Sequence, residues 1–106
     1  MRYSITLVVL ASLAFTAGGV CMKLSDGLTR LVPTVLLYAL FALGATFQTV
    51  AMRRADLGVV YVVVLGLEAV LAFAFGALIF KETTTLWKLG GVALVVAGIS
   101  LLHFGE

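Results

Sequence analysis

An apolar run of 24 residues, 57–80, carries a single acidic side chain, Glu68, near its middle. Tyr61 is the only other ionisable side chain in that run. An α-helix rises about 1.5 Å per residue, so roughly 20 apolar residues cross a hydrocarbon layer about 30 Å thick. The run therefore predicts a membrane-spanning helix with a carboxyl group deep in the bilayer.

The rest of the chain is also strongly apolar. Of its 106 residues, 63% are hydrophobic and 11% are charged, and a soluble domain of this size could not bury so much apolar surface. The apolar runs are about 20 residues long, whereas the strands of a membrane barrel would be about 10 residues long and alternate in polarity. We predict an all-α membrane protein with short loops, forming one domain over 1–106. Its four transmembrane helices are predicted at about 4–22, 33–52, 57–80 and 85–104.

The charge pattern and the reactive side chains exclude several classes of function. The net charge is +2 and contains no basic run, which argues against a nucleic-acid partner. Cys21 and His103 are the only residues of their types, and the sequence has neither a serine–histidine arrangement nor a cluster of metal ligands. We therefore expect no enzymatic activity, no metal and no cofactor.

Glu68 is the main candidate for a functional site. A carboxylate near the centre of a membrane helix costs about 3 kcal/mol or more, so such groups usually face a bundle interior or a water-filled cavity. One interpretation is a proton or cation site, and the other is a protonated carboxyl that hydrogen-bonds a neighbouring helix. Tyr61 lies two helical turns earlier on the same face. An acid and an aromatic ring on one stripe suit an organic cation, although Tyr61 could equally serve only in packing.

Two further polar side chains lie near helix ends. Lys23 is interpreted either as an anchor at the membrane surface or as a charge that tunes the electrostatics of a cavity. Gln48 is interpreted as a helix-packing hydrogen bond, with a ligand contact as the alternative.

The fourth predicted helix carries a candidate association face. Gly91 and Gly98 are seven residues apart with Leu94 between them, and small residues at such spacing let helices approach closely. Four short helices alone can hardly enclose a cavity of several hundred cubic ångströms. We therefore expect a dimer that associates through this face.

The basic residues do not fix an orientation in the membrane. They divide almost evenly between the two sides, with Arg2, Arg53 and Arg54 on one and Lys23, Arg30, Lys81 and Lys88 on the other. The positive-inside rule then gives no clear direction. Insertion in both orientations followed by antiparallel pairing is one explanation. A weakly biased single orientation, or a partner chain that sets it, is the other.

Three segments resemble the small multidrug resistance family of the drug/metabolite transporter superfamily. Residues 22–34, MKLSDGLTRLVPT, look like the family's pattern after the first helix, and residues 57–61, LGVVY, like its third-helix entry. Residues 91–99, GVALVVAGI, resemble the glycine heptad through which such proteins dimerise. The matching positions in the first two segments are Lys23, Ser25, Gly27, Pro33, Gly58 and Tyr61.

The resemblance covers essentially the whole chain and implies a function. Members of the family are proton-coupled exporters of cationic or guanidinium compounds. They work as antiparallel or paired dimers in the bacterial inner membrane. The resemblance thus implies a multi-pass membrane protein whose partners are the lipid bilayer, a second subunit and a small organic cation.

Two positions depart from the family pattern, and the first matters more. The family's essential carboxylate lies in the first helix, eight residues before the lysine that aligns with Lys23, and this chain has Phe15 there. The aromatic residue expected three positions after Tyr61 is Val64. The coupling carboxylate cannot be transferred from the family, and Glu68 is the only acid deep in the predicted membrane region. We group Glu68, Tyr61, Phe15 and Lys23 as the candidate substrate and proton site.

The residues and the resemblance together favour an exporter of small cationic or amphipathic compounds, with Glu68 as the candidate proton-coupling group. A first alternative is a flippase subunit for a lipid carrier of the polyisoprenyl-phosphate type. In this alternative Phe15 makes the groove more apolar, and Lys23 and Arg30 hold the phosphate headgroup. A second alternative is the accessory half of a heterodimeric transporter whose partner supplies the first-helix acid.

Overall fold

The computed structural model describes residues 5–105, which form four α-helices joined by short connectors. Each helix is long and apolar enough to cross a membrane, which confirms the prediction of an all-α, four-helix membrane protein. The prediction of one domain over 1–106 stays a prediction, because Arg2 and the predicted helix start at residue 4 lie outside the described residues. The helices are α1 (Ile5–Leu24), α2 (Leu31–Ala51), α3 (Leu57–Ile79) and α4 (Leu86–Gly105), with a one-turn 3₁₀ helix (Met52–Arg54) after α2.

The helix ends lie within one or two residues of the predicted positions, and local interactions explain the differences. α2 begins at Leu31, so that Pro33 lies in its first turn, where a missing backbone N–H leaves no helical hydrogen bond unmade. α4 begins after Thr85, whose Oγ1 accepts a hydrogen bond from the backbone N–H of Lys88 at 3.2 Å. This is the usual geometry of a threonine N-cap.

The connector between α1 and α2 is organised by Ser25, which is buried. Its Oγ donates to the carbonyl of Met22 at 2.8 Å and accepts from the backbone N–H of Leu28 at 3.2 Å. Gly27 has φ +70°, a left-handed conformation that glycine adopts without steric cost, and Asp26 and Leu28 on either side are also left-handed. The serine and glycine of this connector therefore have a structural role.

The helices pack unevenly. α1 contacts α2 most extensively and α3 next, whereas α4 packs mainly against α3. Gly66 allows the α3–α4 contact, since a Cβ atom there would come within 2.8 Å of Ile99 Cγ1 and 3.3 Å of Val95 Cγ1. No residue of α4 (86–105) is buried in the protomer. The buried core lies between α1, α3 and the end of α2, and consists of Val8, Ala11, Ala51, Val60, Val63 and Val64.

Candidate functional site

A cavity of about 460 Å³ is lined by residues of α1, α2 and α3 and by Met52 after α2. It brings together three of the four predicted site residues, Glu68, Tyr61 and Phe15. The fourth, Lys23, does not line it. Among the described residues, the lining consists of Phe15, Phe41, Ala45, Gln48, Thr49, Met52, Leu57, Tyr61, Leu65 and Glu68.

Glu68 lies in the middle of α3 and is partly exposed to this cavity. Within residues 5–105, its carboxylate makes neither a hydrogen bond nor an ion pair with another side chain or with the backbone. A carboxyl that served only to tie two helices together would need such a partner. The geometry therefore leaves the carboxyl oxygens available to a proton or to a cation in the cavity.

Tyr61 and Leu65 continue the Glu68 face of α3 toward the connector that follows α2. Both side chains line the cavity, with exposed fractions of 47% and 50%. Tyr61 precedes Glu68 by seven residues, which corresponds to about 10 Å along a helix. The cavity thus presents an aromatic ring at one level and a carboxyl group at another.

Phe15 reaches the cavity from α1 and is held there by α2. A Cβ atom on Gly44 would lie 3.0 Å from Cδ1 and Cε1 of its ring, so the ring occupies the space that the glycine leaves. The rings of Phe15 and Phe41 have centroids 5.7 Å apart and planes inclined by 45°. Phe15, at the position where the resemblance leads us to expect an acid, is therefore part of an aromatic helix–helix contact.

Gln48 lines the cavity, although the sequence favours a helix-packing role for it. It is 6% exposed and lines the same cavity as Glu68. Among residues 5–105, its side-chain amide has no hydrogen-bond partner, so the predicted packing bond is not formed within the protomer. Its polarity in an apolar helix was a visible signal, but only the packing of α2 beside α3 reveals which surface it faces.

Lys23 lies at the end of α1, near a separate space of about 160 Å³. Its Nζ is 3.1 Å from Glu82 Oε2 and 5.8 Å from the centroid of the Phe80 ring. Glu82 itself packs over Gly76, with its Cδ 3.2 Å from the place of a Cβ there. Lys23 therefore joins the end of α1 to the connector after α3 instead of facing the Glu68 cavity.

The predicted association face on α4 is open in the protomer. Leu94 is 76% exposed, and a Cβ atom on Gly91 or Gly98 would meet no described heavy atom within 4 Å. Val95, by contrast, turns toward α3 and Gly66. The face of Gly91, Leu94 and Gly98 is thus available to a second chain, and its use as an interface stays a prediction.

A larger groove of about 570 Å³ lies between α3 and α4, but its charged groups are already engaged. Glu82 is paired with Lys23, and Lys88 Nζ donates to the carbonyl of Thr83 at 2.6 Å. Across residues 5–105, three or more histidine, cysteine or acidic side chains do not come together as they would in a metal site. The Glu68 cavity is therefore the candidate site, since Glu68, unlike Glu82, has no side-chain or backbone partner among residues 5–105.

The comparisons with known proteins all indicate the same family. The model of the Small Multidrug Resistance protein family matches residues 1–95. The uncharacterized membrane protein YvaE of Bacillus subtilis is 36% identical over 97 residues, covering 92% of this chain and 82% of that protein. The quaternary ammonium compound-resistance protein QacF of Klebsiella aerogenes is 33% identical over 82 residues, covering 77% and 74%. A guanidinium exporter of Citrobacter freundii is 30% identical over 93 residues, covering 88% and 89%.

Proposed function

Because this chain belongs to the small multidrug resistance family, we propose that it exports small cationic or amphipathic compounds in exchange for protons, with Glu68 as the shared site. The chain is an integral, multi-pass protein of a bacterial membrane and a transporter, not an enzyme. The names of its relatives refer to quaternary ammonium compounds, to multidrug resistance and to guanidinium. The proposed substrates carry a positive charge, as quaternary ammonium compounds and guanidinium do.

The observation that supports the proposal is the Glu68 carboxyl, which has no partner among residues 5–105 and lies in a cavity of about 460 Å³. A carboxylate in an apolar surrounding is stabilised either by a proton or by a nearby cation. Glu68 holds a proton when the cavity is empty and loses it when a cation pairs with the carboxylate. Since one carboxyl serves both, the proton and the cation exclude each other, which is the requirement for exchange.

The aromatic groups of the cavity suit an organic cation. The rings of Phe15, Phe41 and Tyr61 supply apolar surface and π faces, and a cation within about 6 Å of such a face is attracted to it. Phe15 replaces the first-helix acid of the family, so coupling within this chain depends on Glu68. The rings provide affinity, and the carboxyl provides the exchange of charge.

We further propose that the transporter works as a dimer, either a homodimer or a pair with a homologous subunit. The cavity is formed by α1, α2 and α3, while the face of Gly91, Leu94 and Gly98 on α4 is exposed. A second copy on that face would cover the exposed side chain of Leu94. The almost even distribution of basic residues favours an antiparallel pair, which would create the inverted repeat used in alternating access.

The lipid-carrier alternative is less well supported. It assigns the phosphate headgroup to Lys23 and Arg30, but Lys23 is paired with Glu82 at 3.1 Å. An anionic headgroup would have to displace that carboxylate. Among the described residues, the lining of the Glu68 cavity contains one acid and no basic side chain, so this cavity fits a cation better than a phosphate.

Transport by purified protein in sealed vesicles tests the proposed function. A proton gradient should drive movement of guanidinium or of a tetraalkylammonium ion, and Glu68→Gln should abolish it. Glu82→Gln is the matched control, because it removes an acid outside the cavity. Proton-driven transport that survives Glu68→Gln would contradict the role of this carboxyl, and movement of a lipid phosphate without movement of cations would favour the alternative.

A further inference from the structure

Gln48 is a buried polar side chain that neither the fold nor the charge exchange at Glu68 uses. It is 6% exposed, and among residues 5–105 its amide makes no hydrogen bond. Among residues 5–105, every fully enclosed side-chain oxygen or nitrogen has a hydrogen-bond partner. Because the Gln48 amide has none, its atoms are not fully enclosed and reach the surface of the cavity. A cation that fills the cavity excludes water from this amide, which then costs free energy unless the cation offers a matching hydrogen-bonding group.

The position of Gln48 places its amide on the approach to Glu68. Gln48 is three residues before the end of α2 at Ala51, and Tyr61 is four residues after the start of α3 at Leu57, so these two residues lie at similar depths. Glu68 lies about 10 Å deeper. Because Cα–Cβ bonds tilt toward the N-terminus of a helix, Gln48 on α2 leans inward and Glu68 on α3 leans outward. Both side chains line one cavity and converge on its middle.

We propose that Gln48 makes the site prefer cations that carry N–H groups over fully alkylated ammonium ions. The inference rests on the proposed function, since it requires a cation at Glu68. The amide oxygen accepts a hydrogen bond from the N–H of guanidinium or of a primary to tertiary ammonium ion. A quaternary ammonium ion has no N–H, so its binding leaves the amide buried without a partner.

Equilibrium binding of a graded series of cations to the purified full-length protein tests this inference. The series is methylammonium, dimethylammonium, trimethylammonium and tetramethylammonium, in which each step adds one methyl group and removes one N–H. Wild-type protein should lose affinity about tenfold at the last step, where the last N–H disappears. This readout does not depend on the folding of any variant.

Two variants separate hydrogen bonding from the size of the cation. Gln48→Met keeps the length of the side chain and removes the amide, so the loss at the last step should disappear because the N–H cations bind less tightly. Thr46→Val is the matched control on the same helix, since the Thr46 hydroxyl donates to the carbonyl of Ala42 at 2.8 Å and does not line the cavity. It should keep the wild-type pattern.

The outcomes distinguish this inference from the proposed function. An unchanged loss at the last step in Gln48→Met, or equal weakening of all four cations, would overturn the role of Gln48. Wild-type protein that binds all four cations with no loss at the last step would refute the inference alone. Wild-type protein that binds none of them, nor guanidinium, would refute both the proposed function and the inference.

Discussion

The ring of Phe15 fills the space beside Gly44, where a Cβ atom would come within 3.0 Å of two ring carbons. The relationship is reciprocal, because the ring of Phe41 fills the space beside Gly18, with Cε1 2.9 Å from the place of a Cβ. Phe15 precedes Gly18 by one helical turn, and Phe41 precedes Gly44 by the same spacing. Two ring-and-glycine pairs thus join the antiparallel helices α1 and α2 beside the Glu68 cavity.

The first prediction concerns this contact. Gly44→Ala should destabilise the protein by about 1–3 kcal/mol, because an added methyl group in a tightly packed contact forces the Phe15 ring to move. Thermal unfolding in detergent measures the effect. Gly19→Ala is the control, since a Cβ there would meet no described atom within 4 Å. Equal stability of the two variants would show that the ring does not occupy the space beside Gly44.

A second prediction concerns the contact between α3 and α4. Gly66→Ala should also destabilise the protein, because the new methyl group would meet the side chain of Ile99. Ile99→Val removes the atom that approaches most closely and should restore part of the lost stability. Gly58→Ala on the same helix has open space around it and should behave like wild type. A failure of Ile99→Val to improve Gly66→Ala would contradict the contact.

The sequence alone predicts the four helices and the acidic residue at the middle of α3. Apolar runs of about 20 residues leave few alternatives to membrane helices, and Glu68 is conspicuous in such a run. Its partners were harder to predict, because they come from other helices. The spacing along α3 predicts that Tyr61 shares a face with Glu68. The sequence does not predict that Gln48 faces the same cavity, because the orientation of Gln48 depends on how α2 rotates against α3.

Lys23 shows the opposite difficulty. Its place at the end of an apolar helix fits a surface anchor, a cavity charge or an ion pair equally well, and the sequence does not say which acid lies nearby. Glu82 is 59 residues away along the chain and reaches Lys23 only because α1 and α3 pack side by side. Long-range pairs of this kind are set by tertiary packing, which local spacing does not encode.

The third prediction follows from that ion pair. Lys23→Met should lower the free energy of unfolding by no more than about 1 kcal/mol, because both partners are about half exposed to the surroundings. It should also leave cation binding nearly unchanged, since Lys23 does not line the Glu68 cavity. Glu82→Gln should have an equally small effect on stability. If Lys23→Met lost as much cation binding as Glu68→Gln, Lys23 would have to be part of the binding site, which would contradict this prediction.

The fourth prediction concerns the open face of α4. Gly98→Leu and Gly91→Leu should each shift the protein from dimer to monomer, because a large side chain prevents close approach of a second helix. Light scattering of the detergent-solubilised protein measures the mass. Gly90→Leu is the control, since Gly90 is also in open space but lies about 100° around the helix from Gly91. Dimers that persist in both glycine variants would place the interface elsewhere.

The central claim is that one carboxyl, Glu68, exchanges a proton for a cation. Addition of guanidinium or tetramethylammonium to weakly buffered, detergent-solubilised protein measures this exchange directly as a fall in pH. Wild-type protein and Glu82→Gln should release protons, because the cation displaces the proton from Glu68, and Glu68→Gln should release none. Proton release by Glu68→Gln equal to that of wild type, or cation binding by wild-type protein without any proton release, would contradict the account.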